Sequence, residues 1–329
     1  MSLRTFGLLA CLALGMVVAL PSASAQAAAK VPRVGYVFGT TSSEGHRRWE
    51  AARQGLRELG YVEGQSIALE VRWAEGRYER FPELVAELVR LKVDVLVVAN
   101  TPGALAAKNA TQTIPVVMLA VGDPVGSGLV DSLARPGGNL TGLSLMNPEL
   151  HGKRLQLLKE VVPKVSRVAV LTNPGNPIHA TFWNETQAAA RRLRVQLQRL
   201  EVRGPEDFEG AFAKASRGRA GALLAFDDPL TIGHPTQIVA LAAKSRISAM
   251  YGFREFPDAG GLISYGTNAL NHYRHTATYV DKILKGAKPA DLPVEQPTRF
   301  ELVINMKTAK ALGIKFPQSI LIRADQVIQ

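Results

Sequence analysis

The chain has 329 residues, 39 Lys and Arg against 28 Asp and Glu, a formal net charge of +11 and a single cysteine. One cysteine excludes a disulfide framework, and the length is enough for two domains of ordinary size. The basic residues are spread through the chain, and the one denser run, Arg191, Arg192, Arg194, Arg199 and Arg203, reads as the solvated face of a helix and a strand edge rather than a nucleic-acid surface.

Arg4 is the only charged residue before an apolar run from Phe6 to Leu20, which Pro21 breaks. Ala23-Ser24-Ala25 then gives the small-x-small pattern of a signal-peptidase site, so residues 1–25 read as a cleaved export signal with Gln26 as the mature start. The run is short of the roughly 20 residues a bilayer core needs. Leu8-Leu9-Ala10-Cys11 loosely matches a lipobox, but the apolar run continues past it, so lipidation is not expected. Loss of the signal removes the only cysteine, and with it any thiolate metal site or cysteine nucleophile. No later stretch is long and apolar enough to span a membrane, and the expected location is periplasmic.

Arg33 to Phe38 is a short apolar run ending in Gly39-Thr40-Thr41-Ser42-Ser43. Glu44 to Leu59 has helical spacing through Trp49, Ala52 and Leu56, with Gly60 as its stop. Ile67 to Trp73 alternates as a strand, and Tyr78 to Leu91 carries an apolar helical stripe. Val93 to Ala99 is nearly all apolar, as a strand covered on both sides is. Asn100-Thr101-Pro102 opens another helix, and Ile114 to Val121 is the next buried strand. This βαβαβα rhythm predicts a parallel sheet with helices on both faces.

The second half repeats the plan at a nearly constant offset. Val165 to Leu171 echoes Val31 to Val37, Gly221 to Pro229 echoes Val93 to Pro102, and Ile247 to Tyr251 echoes Ile114 to Leu119. The tail departs from it: a strand at Gly261 to Tyr265, a helix at Ala269 to Leu284, an extended connection at Lys288 to Pro297, a strand at Phe300 to Asn305 and a short helix to Leu312. The predicted fold class is α/β, with two doubly wound parallel-sheet lobes joined by a multi-segment hinge. The expected division is residues 31–145 plus 255–297 in the first lobe and 146–254 plus 298–329 in the second.

In parallel sheets ligands bind beyond the carboxyl ends of strands. Here those ends are small, polar and turn-forming: Thr40 to Ser43, Asn100-Thr101, Asp123, Asn173 to Asn176, Asp227-Asp228 and Tyr251-Gly252. Two facing lobes would line one cleft with them, and the helix N-termini that start there suit an anion. The candidate ligand-binding residues are Phe38, Ser42, Ser43, Asn100, Thr101, Asp123, Asn173, Asn176, Asp227 and Tyr265. Ser43 and Thr101 offer hydroxyls to a carboxylate, Asp227 and Asp123 offer charge to an ammonium, and Phe38 and Tyr265 offer an aromatic wall. The same residue types also serve as caps and turn formers, so the argument rests on the set. Gly-x-Gly-x-x-Gly, phosphate-loop, His-Glu-x-x-His and Gly-x-Ser-x-Gly motifs are missing from the sequence. His272 and His275 lie three apart on a predicted helix without a clear third ligand, so neither a metal nor a cofactor is expected.

Several segments resemble the ABC-transporter substrate-binding proteins of the tryptophan/tyrosine type. They are Arg33-Val34-Gly35-Tyr36, Gly55 to Tyr61, Ile114 to Val117 running to Asp123-Pro124-Val125-Gly126, Gly128-Leu129-Val130, Lys153-Arg154-Leu155 and Gly260 to Gly266, and above all Leu133-Ala134-Arg135-Pro136-Gly137-Gly138-Asn139-Leu140-Thr141-Gly142. The resemblance implies a type I periplasmic-binding-protein fold closing on a small carboxylate-bearing ligand, aromatic amino acids among them. The partners implied are a membrane permease and its ATPase, with no nucleic acid, for a chain that is monomeric and not an enzyme. Many relatives carry Gly-Thr-Pro where this chain has Asn100-Thr101-Pro102, and many a Thr-Asp pair near Phe226-Asp227. The differences fall in the predicted cleft, so the ligand need not be aromatic. A periplasmic sensor presenting to a receptor, or an exported enzyme on the same scaffold, are the other readings of the same loops.

Overall fold

From residue 31 onward the alternation of apolar runs and helical stripes forms two sheets. The structure, a computed structural model, describes residues 30–145 and 147–329. The expected export signal at residues 1–25 lies outside the described residues.

The first lobe runs β1 (Arg33–Phe38), α1 (Ser42–Glu58), β2 (Ala68–Trp73), a 3-10 turn at Tyr78–Arg80, α2 (Phe81–Arg90), β3 (Val95–Val98), α3 (Asn100–Ala110), β4 (Val116–Val121) and β5 (Leu140–Ser144). All neighbouring strands are parallel, in the order β2-β1-β3-β4-β5. Successive residues of one strand enter opposite cores. Val34, Tyr36, Phe38, Val95 and Val97 pack under α1, while Val37, Leu96 and Val98 pack under α2 and α3. Burial on both faces is why these strands read as continuous apolar runs.

The second lobe runs α4 (Asn147–Val161), β6 (Arg167–Thr172), α5 (Ile178–Leu193), β7 (Gln196–Glu201), α6 (Asp207–Arg217), β8 (Ala222–Ala225), α7 (Pro229–Gly233), α8 (Pro235–Lys244), β9 (Ser248–Tyr251), α9 (Glu255–Asp258) and β10 (Ile263–Gly266). Then α10 (Ala269–Leu284) returns to the first lobe, and β11 (Glu301–Asn305), α11 (Met306–Leu312), α12 (Gln318–Leu321) and β12 (Gln326–Ile328) finish the second. The sheet order is β12-β11-β10-β9-β8-β6-β7. Its β7-β6-β8-β9-β10 portion is parallel and repeats the order of the first sheet, so the sequence echoes mark equivalent strands. The added strand β11 is antiparallel to β10, and β12 is parallel to β11.

Three strands were not foreseen. Gly142 interrupts the apolar pattern of β5 and holds φ at +128° against the Met118 backbone, which no side chain permits. Strand β7 is the sheet edge and mostly solvated, so the basic run divides between the end of α5 and this edge. Strand β12 is only three residues long. The lobe division also needs correction. Strand β10 pairs with β9 in the second sheet, so the return to the first lobe begins after Gly266 rather than at 255.

The chain crosses between lobes three times: after β5, between β10 and α10, and between Glu295, which bridges to Leu143, and β11. The second crossing delivers α10, which lies along α1 and contributes Ala277, Val280 and Ile283 to the core under β1, β3 and β4. A glycine sets the approach. A Cβ on Gly55 would sit 2.2 Å from the Arg274 carbonyl oxygen and 2.9 Å from the Ala277 Cβ. Gly55→Ala normally favours a helix by about 1 kcal/mol. Here it pushes two backbones apart, and we expect a net loss of about 1–3 kcal/mol, read as a lower urea midpoint. An unchanged midpoint would mean that α10 docks more loosely than this geometry requires.

Candidate functional site

The carboxyl ends of both sets of parallel strands face one cavity, walled by Phe38, Gly39 and Thr40 after β1, Ala99 to Thr101 after β3, Gly122 after β4 and Leu145 after β5. The second lobe supplies Asn176, Ile178, Phe182, Asp227, Asp228, Pro229, Ile232 and Phe253, and α1 and α10 add Arg48, Ala269, His272 and Tyr273. The cavity volume is about 60 Å³.

The first-lobe wall is aromatic. Phe38 stacks on Trp73 at 4.7 Å between centroids and lies nearly parallel to Tyr273 at 6.2 Å. Beside it, α3 begins at Asn100, whose backbone is held at φ +63°, a left-handed conformation that asparagine tolerates better than most residues. Its Oδ1 accepts from the Gly103 amide at 3.0 Å, and Nδ2 is buried without a partner among the described residues. The residue before the helix, Ala99, gives no side-chain cap, so the amino end of α3 opens toward the cavity with its own amides.

The second-lobe wall rests on a buried ion pair. Arg154 on α4 is 1% exposed and donates from Nη1 to Asp227 Oδ2 at 2.8 Å and from Nε to the Tyr265 carbonyl at 2.6 Å. Burial pushes the Asp227 carboxyl up, and the Arg154 charge opposes that shift. Next to it, Asp228 caps α7 through the Leu230 amide and accepts from Asn173 Nδ2 at 3.2 Å and Asn176 Nδ2 at 2.9 Å. That last bond turns Asn176 Oδ1 away from Asp228, buried and unpartnered among the described residues. His179 accepts the Asn173 amide at Nδ1 and faces the Asp227 carbonyl with Nε2, while His151 is held between Phe182 and Phe226. Burial pushes both imidazoles below their usual value.

An ion pair and a carboxylate–imidazole contact join the lobes at the rim. Arg48 Nη2 meets Glu255 Oε1 at 2.5 Å, and Glu44 Oε1 lies 3.4 Å from His234 Nε2. Gly39 lies against Pro229 across the gap. The lobes are thus drawn together. Among the described residues no cluster of three metal-ligating side chains forms.

Of the residues expected from sequence, Phe38, Asn100, Thr101, Asn176 and Asp227 line the cavity. The other five do not. Ser42 and Ser43 are exposed in the first turn of α1, with Ser43 hydrogen-bonded to Thr41. Asp123 closes its own turn on the Gly126 amide, and Asn173 is occupied behind the wall by Gly175 and Asp228. The Tyr265 ring packs against Phe300 and the second-lobe core. Asp227 does reach the cavity, but with Arg154 already matched to it. Arg48, Phe182, Phe253 and Tyr273 also line the cavity without being named by the sequence reading, and so does His272, which that reading weighs only as a metal ligand with His275. A signal for two of them existed: Arg48 lies four residues before Ala52, and His272 four before Thr276, so each interrupts an otherwise buried helix face.

A family model described as ABC transporter substrate binding protein matches residues 47–328. A tyrosine-binding protein from Clostridioides difficile is 26% identical over 274 residues, 82% of this chain and 79% of that protein. A conserved domain protein from Vibrio cholerae superposes with a TM-score of 0.85 at 28% identity, over 91% of this chain and 100% of that one. The ABC domain in complex with L-Trp from Streptococcus pneumonia superposes with a TM-score of 0.83 at 27% identity, over 90% and 99%.

Removing one partner of the buried pair strands the other. Asp227→Ala should therefore lower stability by about 3–5 kcal/mol in chemical denaturation; a loss under about 1 kcal/mol would show that Arg154 finds another acceptor. A pH effect follows from the histidines. His151 and His179 are depressed in the folded chain and His272 is held at about 4, whereas the unfolded chain takes up protons near pH 6.5. Their contribution is complete above that value and is lost as pH falls toward 4, at up to about 1.4 kcal/mol per pH unit for each imidazole. The raised Asp227 works in the opposite sense, but it is one group against three. Unfolding curves between about pH 7 and about pH 5 should show the decline, and a flat profile would contradict it.

Proposed function

The chain belongs to the ABC transporter substrate-binding protein family, and on that premise we propose that it captures an aromatic amino acid between its lobes, outside the inner membrane, and presents it to a membrane permease driven by a separate ATPase. Family and relatives are binding proteins, not enzymes. The observation that carries the reading is the cavity itself: aromatic and aliphatic walls around a few polar groups, contributed by both lobes. One relative is a tyrosine-binding protein and another was solved with L-Trp.

The two lobes divide the ligand between them. Arg48, the Asn100 amide nitrogen and the amino end of α3 with Thr101 receive the carboxylate. Asn176 Oδ1 receives the ammonium. Phe38 and Tyr273 from one side and Phe182 and Phe253 from the other enclose the side chain. Contacts from both lobes favour the closed arrangement, and closure is what the permease reads. The Arg48–Glu255 pair then couples closure to the ligand, because Arg48 touches both the cavity and the opposite lobe.

A thermal-shift screen of the twenty amino acids, followed by calorimetry of the hits, tests this. At a hundredfold excess over Kd a true ligand stabilises by about 2.7 kcal/mol. Tryptophan or tyrosine should raise the melting temperature while aliphatic and acidic amino acids leave it unchanged. A shift confined to a non-aromatic class would sink the proposal.

A further inference from the structure

Three side-chain atoms of the cavity lining are buried without a hydrogen-bond partner among the described residues: Asn100 Nδ2, Asn176 Oδ1 and His272 Nε2. Buried polar atoms are rarely left unpaired, so three around one cavity describe the ligand in negative. Their chemistry is assigned by their other bonds. Asn100 uses its oxygen on Gly103 and offers a donor. Asn176 uses its nitrogen on Asp228 and offers an acceptor. The His272 ring is met by the Leu119 backbone carbonyl, which favours a proton on the ring. With Nε2 unpartnered, that proton belongs on Nδ1, and Nε2 presents a bare lone pair.

The first two atoms match the carboxylate and ammonium of an amino acid, which leaves His272. It stands on α10 directly before Tyr273, whose ring continues the Phe38–Trp73 stack, so it belongs to the wall against which the ligand's ring lies. Burial holds the imidazole neutral at ordinary pH, so the lone pair is not lost to a proton. Resting on the aromatic amino-acid reading above, we infer that His272 determines specificity by accepting, at Nε2, a hydrogen bond from the ligand's side-chain N–H or O–H, so that tryptophan or tyrosine is selected over phenylalanine. A phenyl ring fills the same space and leaves Nε2 dry and unpaired. A site built to bond a donor rejects the analogue that lacks it, here by roughly 10- to 100-fold for one neutral acceptor.

The test is calorimetry of tryptophan, tyrosine and phenylalanine on the wild-type chain, on His272→Leu and on His272→Gln. The wild type should bind tryptophan or tyrosine at least about 10-fold more tightly than phenylalanine. His272→Leu should abolish that ratio while phenylalanine binds as well as before or better, and His272→Gln, with an acceptor oxygen, should restore part of it. Nitrogen-15 spectra of the wild type give a readout independent of folding of the variants: the His272 Nε2 resonance should move with tryptophan and stay with phenylalanine. A ratio unchanged by His272→Leu, or an Nε2 resonance indifferent to the donor-bearing ligand, overturns the inference and leaves the aromatic reading standing. If no aromatic amino acid binds the wild type, both fall together.

Discussion

The Arg154 guanidinium is the charge around which the second-lobe half of the cleft is arranged. It cannot be neutralised by losing a proton, and at 1% exposure it has no water to turn to, so the fold must supply its acceptors. Asp227 at the end of β8 and the Tyr265 carbonyl in β10 do so, tying α4 to the ends of two strands. The same demand clears space around it. Cβ atoms on Gly252 and Gly266 would fall 2.8 and 3.0 Å from Nη2, so the strand ends that flank the guanidinium are bare of side chains. The charge balance of the cleft follows. Asp227 is matched inside its own lobe, and Asp228 is taken up by the Leu230 amide, Asn173 and Asn176.

The first lobe answers with a different construction. Its wall is a row of rings, Trp73, Phe38 and Tyr273, broken by the strained start of α3 and by Arg48. Arg48 serves two surfaces at once, since its guanidinium lies 6.0 Å from the centre of the Phe253 ring and bonds Glu255, both in the opposite lobe. The cavity-lining Arg48 is therefore already part of an ion pair that spans the gap. Glu44 and His234 add a second contact between the lobes at the rim.

The sheets were legible because parallel strands buried on both faces leave long apolar runs, and their order in the second lobe followed from the echo of the first. Strand β5 was hidden by Gly142, and β7 by the solvated edge it forms. The cleft was legible as a set of strand ends and illegible as a set of contacts. A polar residue just past a strand can look into the cleft, as Asn100 and Asn176 do, or close its own turn, as Asp123 does. Tyr265 alternates to the core side of β10, a direction that depends on which strands flank it. Arg48 lies inside α1 and His272 in the first turn of α10, and only the docking of α10 against α1 brings both to the cavity.

Neither lobe is a continuous stretch of chain. The first lacks α10 until residue 284 is available, and Glu295 must still bridge to Leu143. The second waits for β11 and β12. Contacts such as Tyr61 with Asp281, 220 residues apart, and Arg323 with Glu160, 163 apart, become possible only late in the chain. A chain wired in this way has no early stopping point at which a finished half can lock. Both halves are therefore completed almost together, near the end of the chain, rather than one after the other.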